Sequence, residues 1–156
     1  MTDCEPITYH ERQRSLYCGK HAINNLLQKK VATCKNLYTV DKKLAEETGI
    51  PITELAIKKK GKYDISVLLN FLKPNYEVYQ IPETKFGSMS RRQSRRLLGY
   101  ILGDGEHWVC LRKTHTTDCY FYIDSLDDEV YHVSNVKEFL EHFDFLFAIK
   151  VLEKKS

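Results

Sequence analysis

Long apolar runs are missing from this sequence: Cys119–Ile123 and Phe145–Ile149 are the longest, far short of the roughly 20 residues that cross a bilayer. No membrane span is expected. Glycine and proline are scarce, 7 and 4 of 156 residues, which excludes collagen-like repeats and low-complexity linkers. Charge of one sign is not in excess: 24 Lys+Arg against 21 Asp+Glu leave +3, so the broad basic footprint of a dedicated nucleic-acid binder is lacking. The five cysteines form no C-x-x-C pair, and their odd count and irregular spacing argue against a disulfide framework and against a four-thiolate zinc site. The opening Met1-Thr-Asp-Cys-Glu-Pro has neither a basic nor an apolar leader segment, and the expectation is an intracellular protein, cytoplasmic and/or nuclear.

What is present is enough apolar sequence, 42% of 156 residues, for one domain over 1–156 with a real core. The first half has helical period. Ser15 can cap a helix to about Gln28 with Leu16, Ile23, Leu26 and Leu27 on one stripe, and a second helix is expected over Asp41–Thr48, closed by Gly49 and Pro51. Residues 52–60 read as a helical turn, and Asp64 caps a further helix to Leu72, ended by Pro74. The period then becomes alternating, giving strands over Tyr76–Ile81, Leu97–Leu102, His107–Lys113, Cys119–Asp124 and Phe145–Val151, interrupted by a helix capped at Ser134. Helices followed by a mostly antiparallel sheet define an α+β fold, the N-terminal helices packed on the sheet.

Cys18 falls in the first turn of the first helix, where the dipole and unpaired backbone N–H groups favour a thiolate and so a nucleophile. A general base for it stands in the second half of the chain. His107 and Asp124 lie on two strands that a turn near 114–118 folds into a hairpin. Paired positions then sum to about 231 or 232. The first value puts His107 and Asp124 on one face; the second turns Asp124 away, and the sequence leaves both open.

The motif H-E-x-Q-x(4)-C-x-x-H-x-x-N-N-L-L-Q, filled by His10, Glu11, Gln13, Cys18, His21, Asn24, Asn25, Leu26, Leu27 and Gln28, resembles that of the Josephin-family cysteine proteases, deubiquitinases on a reduced papain-like fold. The resemblance continues in Gly61-Lys-Tyr-Asp64, His107-Trp108 and Asp124-Ser125. It implies Cys18 as nucleophile, His107 as general base, Asp124 as the group orienting that base, and Gln13 as oxyanion-hole donor beside the Cys18 backbone N–H. The implied partner is ubiquitin or polyubiquitin, the implied reaction cleavage of the bond at its C-terminus, and no cofactor or metal is implied. Two departures stand out: the stretch between Gln28 and Gly61 is shorter than the helical hairpin with which relatives lean over ubiquitin, and Gly19 replaces a frequent alanine.

Other residues carry weaker expectations. Asp104 and Glu106, on the turn leading into His107, are placed to meet the arginines of ubiquitin's C-terminal tail, although Gly103-Asp-Gly105 is also an ordinary turn sequence. Trp108 is either a wall of the substrate cleft or a core residue. His21, Asn24 and Asn25 read as structural side chains that hold neighbouring loops. Arg91–Arg96 is a basic patch, read as a solvated loop or a docking or phosphorylation site. Two rival functions remain open: a catalytically weak ubiquitin-binding module, and a papain-like protease or acyltransferase acting on a protein other than ubiquitin.

Overall fold

The structure, a computed structural model, describes residues 7, 9–12, 18–49, 56–57, 62–63, 65–81, 96–103, 107–114, 119–127 and 129–152, with backbone alone for 18, 56–57 and 62–63. Helix α1 spans Cys18–Leu27 and α2 spans Cys34–Thr48. Two short strands, β1 (Ala56–Ile57) and β2 (Lys62–Tyr63), pair with each other and precede α3 (Ile65–Leu72). Then come β3 (Tyr76–Gln80), β4 (Leu97–Gly103), β5 (Trp108–Lys113), β6 (Tyr120–Ile123), β7 (Val130–Val133), α4 (Val136–Leu140) and β8 (Phe145–Val151). Strands β3 to β8 form one antiparallel sheet in the order β3-β8-β4-β5-β6-β7. The α+β expectation holds.

The sheet separates two apolar layers. On one side Leu98, Ile101, Cys110, Ile123 and Ile149 pack against Ile23 and Leu26 of α1, Leu37 of α2 and Leu68 and Leu72 of α3. On the other, Leu102, Val109, Leu111 and Leu146 pack under Leu140 of α4. Covered on both faces, β4 and β5 are buried along their whole length, which explains why their sequences read as near-continuous apolar runs. Gly99 permits α1 to approach this closely, because a Cβ there would lie 2.7 Å from Leu26 Cδ1 and collide with the Leu111 carbonyl. A register shift in β4 between Leu97 and Gly99 accompanies it.

Several local expectations are corrected. The second helix begins at Cys34 rather than Asp41, because Thr33 and Asn36 form a reciprocal capping box. Its other end is as expected: Gly49, at φ 75°, returns its N–H to Ala45. Residues 56–57 are strand, so the helical turn expected over 52–60 is not formed there. Strand β7 was not anticipated, and α4 is capped by Asn135, whose side chain accepts from Glu138 N, rather than by Ser134. Cys119 is disulfide-bonded, where the sequence argues against a disulfide framework, whereas Cys34 and Cys110 are not in a disulfide. The caps expected at Ser15 and Asp64 and the turns over 104–106 and 115–118 lie outside the described residues.

Candidate active site

Helix α1 is buried along nearly its whole length from Gly19 on, on its polar side as well as its apolar one. A buried polar face must be satisfied internally, and the segment 9–12 does this. Asn25 accepts from Glu11 N at 2.5 Å and donates to Glu11 O at 3.2 Å, while Gln28 accepts from Tyr9 N at 3.0 Å and donates to Tyr9 O at 2.9 Å. The two side-chain amides thus pair with the segment as a neighbouring strand would. Asn24 donates to Glu11 Oε1 and to Ala32 O, and it accepts from the Val31 and Ala32 N–H groups. His21 meets Glu11 Oε1 at 2.5 Å. Burial alone would raise the Glu11 carboxyl, but donation from Tyr9, Asn24 and His21 outweighs it and holds the pKa below the ordinary value. The expectation of structural roles for His21, Asn24 and Asn25 is met, and it explains half of the sequence motif: those residues clamp the segment that leads into Gln13.

Cys18 is the first residue of α1. The helix lies along β5, and the buried Arg112 guanidinium donates to the Leu26 carbonyl, tying the last turn of α1 to the far end of that strand. From this tie, α1 runs back about 12 Å to Cys18 at 1.5 Å per residue. Strand β5 runs back about 13 Å to Trp108 at about 3.3 Å per residue. The N-terminus of α1 is therefore level, along the strand direction, with the His107 end of β5.

At that end the imidazole Nε2 of His107 meets Asp124 Oδ1 at 2.7 Å, both side chains being about one-fifth exposed. The hairpin register sums to 233, as in Cys110↔Ile123 and Leu111↔Tyr122, rather than the 231 or 232 expected. Continued past its last pair, this register sets Asp124 level with Val109, so His107 reaches it as a diagonal neighbour on the same face. Asp124 Oδ1 also accepts from Leu126 N at 2.9 Å, and Oδ2 accepts from the Tyr122 hydroxyl at 3.0 Å. Burial raises the Asp124 carboxyl, but donation from His107 and the Leu126 N–H, the His107 charge and the Tyr122 hydroxyl together bring it below its ordinary value. The carboxylate is ionised at neutral pH and able to fix an imidazole tautomer.

Two participants escaped the sequence reading. His10 Nε2 lies 3.0 Å from the Asp124 backbone carbonyl, joining the motif segment to the carboxylate loop. Tyr122 stands two residues before Asp124 on the same strand face, a spacing visible in the sequence. Trp108 is 9% exposed, tilted against Phe145 and Phe147 at 6.2 Å each, and its indole occupies the space above Gly103. Its ring packs in the core. The cavity of about 500 Å³ lined by Tyr122, Tyr131, Phe139 and His142 lies on the α4 side of the sheet, and neither His107 nor Asp124 lines it. The side chain of Cys18, together with Gln13, Asp104, Glu106 and Arg91–Arg95, lies outside the described residues.

A helix that begins with cysteine, packed on an antiparallel sheet that carries a carboxylate-held histidine, is an α+β arrangement compatible with the cysteine-protease class. Comparison with known proteins is narrower: the Josephin family model matches residues 13–145, and the chain belongs to that family. It is 29% identical over 136 residues to a Josephin-like protein of Arabidopsis thaliana, covering 72% of this chain and 38% of the relative. It is 26% identical over 134 residues to Josephin-2 of Homo sapiens and of Mus musculus, covering 77% of this chain and 69% of each relative. Among the described residues no helix is long and apolar enough to cross a membrane.

Proposed function

We propose that this chain is a cysteine-type deubiquitinase, one catalytic domain over 1–156 that cleaves the peptide or isopeptide bond at the C-terminus of ubiquitin or a ubiquitin-like protein inside the cell. The observation that carries the reading is the 2.7 Å contact of His107 Nε2 with Asp124 at the end of the sheet where α1 begins. With Nε2–H committed to the carboxylate, Nδ1 takes the proton of the Cys18 thiol. The thiolate attacks the carbonyl carbon of ubiquitin's terminal glycine, and the carbonyl π electrons move to oxygen. The oxyanion is met by the Cys18 backbone N–H and the Gln13 side-chain amide. Collapse expels the lysine or peptide amine, which takes the proton from the imidazolium and leaves a thioester. Water, deprotonated by the same imidazole, then releases the ubiquitin carboxylate and restores the thiol.

Asp104 and Glu106 act at the mouth of the cleft by pairing with the arginines that precede ubiquitin's terminal Gly-Gly. A ubiquitin C-terminal fluorogenic reporter tests the function: turnover by the wild type and none by Cys18→Ala supports it. Thiol-dependent cleavage of other peptides with ubiquitin untouched would make the chain a protease for a different protein. Ubiquitin binding with no turnover would make it a binding module.

A further inference from the structure

A carboxylate on Cβ turns easily, because the terminal torsion of aspartate is broad; its orientation must come from hydrogen bonds. In Asp124, Oδ1 takes the His107 ring N–H and the Leu126 backbone N–H, while Oδ2 takes the Tyr122 hydroxyl at 3.0 Å. Burial and the adjacent Asp124 carboxylate raise the Tyr122 phenol above its ordinary value, so it remains a donor at working pH. The ring is itself held: Phe139 of α4 meets it edge-on at 5.2 Å, Tyr131 of β7 stacks at 6.5 Å, and Phe143 closes the cluster at 6.5 Å.

We propose that Tyr122 is a positioning residue of this site, its hydroxyl locking the plane of the Asp124 carboxylate so that Oδ1 stays on His107. The inference rests on the reading of His107 and Asp124 as base and orienting group. It gives a purpose to α4 and β7, which pack the ring that aims the carboxylate. The phenol oxygen can also accept, so an amide at position 124 keeps its carbonyl on His107 and turns its NH₂ to Tyr122. The same lock serves either group.

Tyr122→Phe deletes one oxygen and keeps the ring packing. Two readouts are taken on the whole chain: the pH at which the Asp124 side-chain carbon titrates by NMR, and the rate at which iodoacetamide alkylates Cys18. The rate is followed on the Cys18 peptide by mass spectrometry, so that alkylation of the exposed Cys34 is not counted. The expected result is that Asp124 titrates at higher pH in Tyr122→Phe and Cys18 alkylation at neutral pH falls on the order of 10-fold, about the 1.4 kcal/mol of one charge-assisted hydrogen bond. In the Asp124→Ala background, Tyr122→Phe adds no further loss. Unchanged alkylation by Tyr122→Phe, with or without a change in titration, overturns the proposal. So does an equal loss with and without the Asp124 carboxylate, which would make Tyr122 a packing residue. Neither readout uses ubiquitin, so failure of the reporter assay rejects the deubiquitinase reading without deciding this one.

Discussion

His10 Nε2 donates to the backbone carbonyl of Asp124 at 3.0 Å, across 114 positions of sequence. The bond joins the start of the family motif to the loop that presents the carboxylate. His10→Ala should therefore lower stability by about 1 kcal/mol, the usual net value of one such bond. It should also lower reporter turnover, since the Asp124 loop loses its tie to the 9–12 segment that Asn25 and Gln28 hold. Urea unfolding measures the first and steady-state kinetics the second.

Asn24 is fully buried and makes four hydrogen bonds. Replacing it with leucine leaves the Val31 and Ala32 N–H groups and the Ala32 carbonyl without their partner, at about 1–3 kcal/mol for a buried polar group so stranded. Asn24→Leu should fall at least several degrees in Tm, and by more than the exposed control Lys42→Ala. Equal melting of the two variants would contradict the clamp around Glu11.

Asp124 and Glu11 are both held below their ordinary carboxyl values by hydrogen-bond donors that outweigh burial. The unfolded chain therefore binds protons first as the solution is acidified. The stabilisation is complete above the unfolded values of about 3.9 and 4.3 and is lost as pH falls through the lower folded ones. Glu11→Gln and Asp124→Asn should each flatten the acid side of a stability-versus-pH curve taken by urea unfolding. A curve as steep as that of the wild type would remove the corresponding carboxylate from the acid transition.

Asp124→Asn should retain much of the reporter activity, because an amide oxygen still accepts the His107 N–H, whereas Asp124→Ala should lose far more. Gln13→Ala should cost on the order of 10²-fold, as removal of one oxyanion donor does. Similar losses in the Asn and Ala variants would mean that the carboxylate charge is itself required.

Where the chain repeats a strong local pattern, the sequence is enough to place it. Ile23, Leu26 and Leu27 of the α1 stripe, the Gly49 stop of α2, the β4 strand from Leu97 and the Phe145–Val151 strand occur as read. The failures are choices between near-equal local options that packing decides. Ser134 and Asn135 are both competent caps, and Asn135 serves. The capping box at Thr33 ends in Asn36 rather than the Glu or Gln that usually signals one. Strand β7 is four residues long and at most half-buried, so it carries little periodic signal. The hairpin register was open between 231 and 232; the observed 233 has the parity of 231 and so sets His107 and Asp124 on one face, which the sequence alone could not decide. Tyr122 was overlooked because an aromatic residue in a strand ordinarily means core, and its ring does pack there while its hydroxyl reaches the carboxylate.

The most direct test of the account is covalent capture of the nucleophile by ubiquitin carrying a thiol-reactive group in place of its terminal carboxylate, followed by peptide mapping of the adduct. The account predicts one ubiquitin attached at Cys18, with no adduct on Cys18→Ala and slowed capture on His107→Ala. Capture that survives Cys18→Ala, or an adduct mapped to Cys34 or another cysteine, would contradict it.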